Sequence, residues 1–156
     1  MTFSAGDKPT AAQLDGIALR YIGSTSNNTT FRTATTTETA DTTVTFTAGS
    51  TSDRYLIIAS GCYESSVAAD SVVLRIRYKA AASLSSPPSA DTLLTAKQVN
   101  ADVAGKSNDY MLIGTITGIS GQYTFGTTIV RSSGTGTVQI NGSSVHYSDT
   151  WVLRLA

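Results

Sequence analysis

The chain has 156 residues, of which 40% are hydrophobic and only 14% charged, and its eleven basic residues balance eleven acidic ones. This composition has too little Glu, Lys and Leu for a helical bundle and too many branched and aromatic residues for disorder, and no apolar run reaches the roughly 18 residues of a membrane span. Zero net charge gives no electrostatic reason to bind nucleic acid or an anionic membrane and mildly favours self-association, while 25 Thr and 20 Ser beside Val, Ile and Tyr point to an all-β domain.

Residues 1–23 read as an arm. Within it, Lys8 to Ile17 predicts a short helix, with Thr10 as N-cap and Gln13 completing a capping box. Leu14, Ile17 and Ala18 share one face at helical spacing. One or two turns are not stable alone, so this segment has to dock on something. Residues 1–20 lack a basic start followed by an apolar stretch, so the sequence predicts synthesis in a cytoplasm.

Residues 24–156 read as the folded domain. Thr43, Thr45 and Thr47 alternate with Val44 and Phe46, the pattern of a half-buried strand. Asp53 to Glu64 contains Tyr55-Leu56-Ile57-Ile58, which is apolar on both faces. Such a strand is either covered on both sides or forms an oligomer contact, which makes Tyr55, Ile57, Ile58 and Tyr63 the candidate interface residues. Cys62 ends an apolar run and reads as a buried, inert thiol. Ser71 to Lys79 places Val72, Leu74, Ile76 and Tyr78 on one side and Val73, Arg75, Arg77 and Lys79 on the other. That basic stripe reads as a solvated face, the alternative being a surface paired with acidic groups of a partner. Asp91 to Val99 predicts another strand between loops at 80–90 and 100–108.

Tyr110 to Ile119 and Gln122 to Arg131 flank Ser120-Gly121, which suggests a hairpin. Gly134-Thr135-Gly136 marks a turn before a short strand with Val138 and Ile140. Asn141-Gly142 is a second hairpin signal. In the last strand Val145, Tyr147, Trp151, Leu153 and Leu155 form the apolar row, which assigns Trp151 to the core. About eight strands over residues 28–156 predict an antiparallel two-sheet sandwich of jelly-roll type, preceded by the arm.

Catalytic chemistry finds few parts. The one histidine, His146, shares an extended strand with Ser144 and Asp149, and a triad cannot be built along one strand. One His and one Cys cannot make a zinc site within the chain. The sequence therefore predicts no enzyme, no metal and no cofactor. For sugar binding, Tyr63, Tyr110 and Tyr123 near strand ends are the candidate contacts.

Phe3-Ser-Ala-Gly-Asp-Lys-Pro9-Thr10-Ala11-Ala12-Gln13-Leu14-Asp15 resembles the leader of small virion proteins of tailed bacteriophages, especially those of actinobacterial hosts, with Asp15 where such leaders often carry Asn. The rest of the chain is similar in style to the trimeric β-sandwich heads of phage appendages, a fold like that of tumour necrosis factor and complement C1q. The resemblance implies a non-enzymatic minor tail or capsid-decoration protein, made in the bacterial host cytoplasm and located in the virion. It implies an arm that docks through Phe3, Pro9, Leu14 and Ile17 on another virion protein, and a head that forms a homotrimer. The rival expectation is a carbohydrate- or receptor-binding module that takes a host-surface glycan.

Overall fold

The computed structural model describes residues 19–27, 29–141 and 147–155. The predicted helix and the docking residues Phe3, Pro9, Leu14 and Ile17 lie outside the described residues, as does His146. Ten strands follow in order: β1 (Arg20–Asn27), β2 (Arg32–Ala34), β3 (Thr39–Ala48), β4 (Arg54–Ser65), β5 (Ser71–Lys79), β6 (Thr92–Asn100), β7 (Asn108–Ile116), β8 (Gly121–Ser133), β9 (Val138–Asn141) and β10 (Ser148–Leu155). A single 3-10 turn, Pro88–Ala90, interrupts the loop before β6. No helix among the described residues is long and apolar enough to cross a membrane.

The strands form two antiparallel sheets in jelly-roll order. In the first, β4 carries β7 on one edge, and on the other edge β10 and then β9; β1 extends β10 and β2 extends β9. The second runs β3-β8-β5-β6. Alternation decides which side chains meet between the sheets. Tyr55, Ile57 and Ala59 of β4 face Val72, Leu74 and Ile76 of β5 and Phe125 and Ile129 of β8, all nearly or fully buried. Phe125 stacks between Phe46 and Tyr78, with ring centroids 5.7 and 5.3 Å away. At one side of the sandwich β7 closes on β6, and Gly114 lets Leu94 in, because a Cβ there would lie 2.7 Å from the leucine side chain.

Several expectations from sequence are corrected. The first strand begins at Arg20 and pairs with β10, so a boundary at residue 23 falls inside the sandwich. Ser120-Gly121 is not a hairpin, because β7 and β8 belong to different sheets. The link between them crosses the end of the core, anchored by buried Ile119, and turns through positive φ at Gly118 and Gly121. The strands flanking Asn141-Gly142 do not pair either. They lie end to end along one edge of β4, β10 covering Arg54 to Ser60 and β9 covering Cys62 to Ser65.

The last strand turns the opposite way from its hydrophobic pattern. Ser148, Thr150 and Val152 face the core at 0% exposure, while Trp151 is 41% exposed. The core accepts the hydroxyls because they satisfy one another. Thr150 Oγ1 lies 2.6 Å from Thr42 Oγ1 and 2.8 Å from Thr127 Oγ1, so three buried hydroxyls form one chain. A buried polar row thus carries no unmet donors, and the apolar row is free to face outward.

Asp70 ties the turn after β4 to the turn after β8. It accepts Ser65 Oγ–H at 2.5 Å and the backbone N–H groups of Thr135 and Gly136 at 3.0 Å each. These bonds, with Ser65 first, hold its pKa below the ordinary value against burial. Gly134 makes the approach feasible. Its φ is +98°, and a Cβ would lie 1.8 Å from Asp70 Oδ1. Gly134→Ala is therefore expected to destabilise the fold by about 2 kcal/mol or more. Urea melts at neutral pH measure this, and an unchanged midpoint would refute the coupling.

Candidate functional site

Alternation along the first sheet leaves a second apolar surface on the side away from the core. Three cross-strand rows build it. Ser24, Trp151, Ile58 and Ile113 make the middle row, Tyr21, Leu153, Leu56 and Thr115 the row on one side, and Ser26, Asp149, Ser60 and Met111 the row on the other. Neighbouring strands lie about 4.8 Å apart, so each row spans roughly 14 Å. Met111 is 58% exposed, Ile113 55% and Tyr21 59%. Tyr21 meets Trp151 edge-on, with centroids 6.3 Å apart, and its hydroxyl is 2.9 Å from Ser24 Oγ.

Polar groups cluster at one end of the β1-β10 pair, Ser26 and Asp149 on this surface and Asn27, Ser148 and Asp41 on the side facing the second sheet. Asp149 accepts from Ser26, Asp41 accepts from Ser148, and Asn27 donates to Asp41 at 2.7 Å. Burial pushes the Asp41 carboxyl above its ordinary pKa despite these bonds. Cys62 is buried, and its thiol donates to Asp109 at 3.1 Å. Burial first, and then that neighbouring carboxylate, push the thiol pKa up to about 11, so the thiolate is scarce at neutral pH.

Of the interface residues expected from sequence, only Ile58 lies on the outward surface. Tyr55, Ile57 and Tyr63 point inward and are 2%, 0% and 4% exposed. The period of two explains the split, since within Tyr55–Ile58 it is Leu56 and Ile58 that turn out. The sugar-contact candidates are displaced as well. Tyr63 and Tyr110 are buried, and Tyr123 is half-buried against Tyr78 and Phe125. The Tyr110 hydroxyl has no hydrogen-bond partner among the described residues, and burial raises its pKa well above the ordinary value. Sequence reasoning did not single out Met111, Ile113 or Tyr21. A signal was present for the first two: Met111-Leu112-Ile113 is apolar on both faces, as β4 is.

The basic stripe of β5 is not a simple solvated face. Glu38, on the chain between β2 and β3, lies over it and is 5% exposed. Arg77 clamps it with Nε at 2.6 Å and a terminal nitrogen at 2.9 Å, Arg75 donates at 2.9 Å, and Thr128 donates as well. Burial alone would raise the Glu38 pKa. The bonds from Arg77 and Thr128 and the charges of Arg75 and Arg77 outweigh it and hold the carboxyl below its usual range. Among the described residues no group of three or more His, Cys, Asp or Glu is placed to hold a metal ion.

No protein-family model and no curated protein sequence matches the chain. Solved structures do show similarity at low identity. The tumour-necrosis-factor protein Eiger from S. frugiperda is 12% identical with a TM-score of 0.43, over 67% of this chain and 61% of that one. An aminopeptidase from a Thaumarchaeota archaeon is 8% identical with a TM-score of 0.47, over 73% of this chain and 26% of that one. TmCBM61, solved in complex with β-1,4-galactotriose, is 7% identical with a TM-score of 0.35, over 75% of this chain and 61% of that one. The chain thus spans less than two thirds of each of these proteins.

Proposed function

We propose that the chain is a non-enzymatic assembly subunit of a bacteriophage particle, a minor tail or capsid-decoration protein whose head forms a homotrimer through the outer face of the first sheet. The observation that carries the assembly half of this reading is the outward row Trp151, Ile58 and Ile113 with Tyr21 and Met111 beside it, four of these five side chains being exposed. An apolar face rimmed by polar groups marks an interaction surface. Closed rotational symmetry would bury the same face on every copy and leave none over; the three-fold order comes from the resemblance of the chain to trimeric phage heads. The virion half rests on the leader from Phe3 to Asp15, which would dock through Phe3, Pro9, Leu14 and Ile17.

Deleting residues 1–18 removes that leader and leaves all ten strands. The truncated protein is expected to keep its melting temperature and oligomeric mass but to be missing from purified particles. Incorporation at the wild-type level would end the docking assignment.

One observation favours a second reading of the same face. Trp151 and Tyr21 form an exposed aromatic pair, the kind of surface on which sugar rings stack. In that case the protein is a monomer that binds host cell-wall polysaccharide, and Trp151→Ala abolishes the binding. Sedimentation of the wild type separates the two readings, since a trimer covers the pair.

A further inference from the structure

We propose that the cleft beside Glu38, on the outer face of the second sheet, binds an oxyanion carried on a polar molecule: the carboxylate of an acidic sugar or the phosphate of a polyol phosphate. The cleft has a volume of about 480 Å³, and Thr37, Arg75, Arg131 and Ser132 are among its walls. A second hollow of about 490 Å³ shares Thr37, Glu38 and Pro87 with it.

The hydrogen bonds around Glu38 leave Arg75 with donors to spare for a ligand. A carboxylate offers about four acceptor sites. Glu38 receives two bonds from Arg77, one from Arg75 and one from Thr128, so it is saturated and cannot take a ligand hydroxyl. Arg77 is engaged on both sides, with two bonds to Glu38 and one to the Asp91 carbonyl at 2.7 Å. Arg75 differs. A guanidinium carries five N–H donors, and Arg75 directs only one hydrogen bond to a described residue, Glu38, although its side chain is just 23% exposed. Donors withdrawn from water gain most from a charged acceptor.

The surrounding charges favour an anion. Arg75 and Arg77 set two positive charges at the cleft against the single carboxylate of Glu38; Arg131 also lines it, but its guanidinium donates to the Gly136 carbonyl and its charge acts on Asp70. Neither nearby acid is among the cleft walls: Asp70 holds its own turn beside Arg131, and Asp91 accepts from Ser85 N–H and Ser85 Oγ–H. Lys79 also bonds Ser85. Among the described residues no aromatic ring lines the cleft, so charge and hydroxyl contacts, not stacking, would supply the affinity. The site faces away from the proposed assembly surface and does not rest on that reading.

The test is an amide NMR titration of the full chain at low salt, with trigalacturonic acid, glycerol phosphate and neutral galactobiose as probes. At least one anionic probe is expected to give saturable shifts around Thr37, Arg75 and Ser132, with galactobiose silent. The stronger of the two anionic probes identifies the carrier chemistry. Arg75→Gln is expected to weaken that binding about tenfold or more. The variant Thr37→Val changes an exposed wall residue and keeps the Glu38 cluster, and it is expected to weaken binding several-fold at an unchanged melting temperature. The proposal fails if neither anion gives saturable shifts up to about 10 mM, if galactobiose matches them, or if both variants bind as the wild type does.

Discussion

Ile113→Asp is expected to leave the protein folded and to convert the proposed trimer to a monomer. Ile113 sits at the end of the outward middle row, next to Ile58, and is 55% exposed in the single chain. A carboxylate there remains in water when the chain is alone, so the fold loses little. In the proposed trimer the same carboxylate would be buried without a partner, which costs at least several kcal/mol. Since about 1.4 kcal/mol is a factor of ten, each contact weakens by about a hundredfold or more. Sedimentation velocity at micromolar concentration measures the mass, and a thermal melt checks the fold. Leu112→Asp is the internal control. Leu112 is 4% exposed and points inward, so a charge one residue away should unfold the domain itself. A wild type already monomeric, or an Ile113→Asp variant of unchanged mass, would remove the assembly face from the account.

Glu38→Ala is expected to cause a large loss of stability although it truncates a single polar side chain outside the core. The side chain joins the segment before β3 to two strands, through Arg75 and Arg77 of β5 and Thr128 of β8. Without it, two guanidinium groups only 23% and 11% exposed lose their counter-charge. Breaking a buried pair from one side costs about 3–5 kcal/mol, which for a domain of this size lowers the melting temperature by roughly 10 °C or more. The pH dependence has a definite sign. The Glu38 carboxyl is held below its ordinary value of 4.5 in the fold. Its contribution is therefore fully present above that value and is lost as the pH falls through it toward the folded pKa. Asp70 is shifted the same way, and Asp41 the opposite way. Glu38→Gln keeps the shape without the charge, so it should flatten part of the acid limb of stability against pH. A melting temperature within about 2 °C of wild type for Glu38→Ala would show that solvent, not Glu38, satisfies the two arginines.

The contrast between β5 and β10 shows where local pattern suffices. In β5 the alternation of Val72, Leu74 and Ile76 with Arg75 and Arg77 reads correctly, because one row is plainly apolar and the other charged. In β10 the same rule sends Trp151 and Leu153 to the core, and the structure sends Thr150 and Val152 there. The hydroxyl of Thr150 is acceptable inside only because Thr42 and Thr127, far away in sequence, meet it. Glu38 is similar: a lone acid in a Thr-rich stretch gives no sign that two arginines from another strand will enclose it. The hairpin signals at Ser120-Gly121 and Asn141-Gly142 fail for a related reason. Turn chemistry favours a reversal, but the pairing partner is chosen by the competing edges of β4 and β8.

By itself the sequence determined the fold class and the buried side of β5. These follow from composition and from a period of two, both local properties of the chain. Only the tertiary structure decided which apolar row is left outside, which strands share a sheet, and where the arginines of β5 find their carboxylate. Each of those outcomes depends on partners distant in sequence, whose hydrogen bonds and contact surfaces exist only once both sheets have come together.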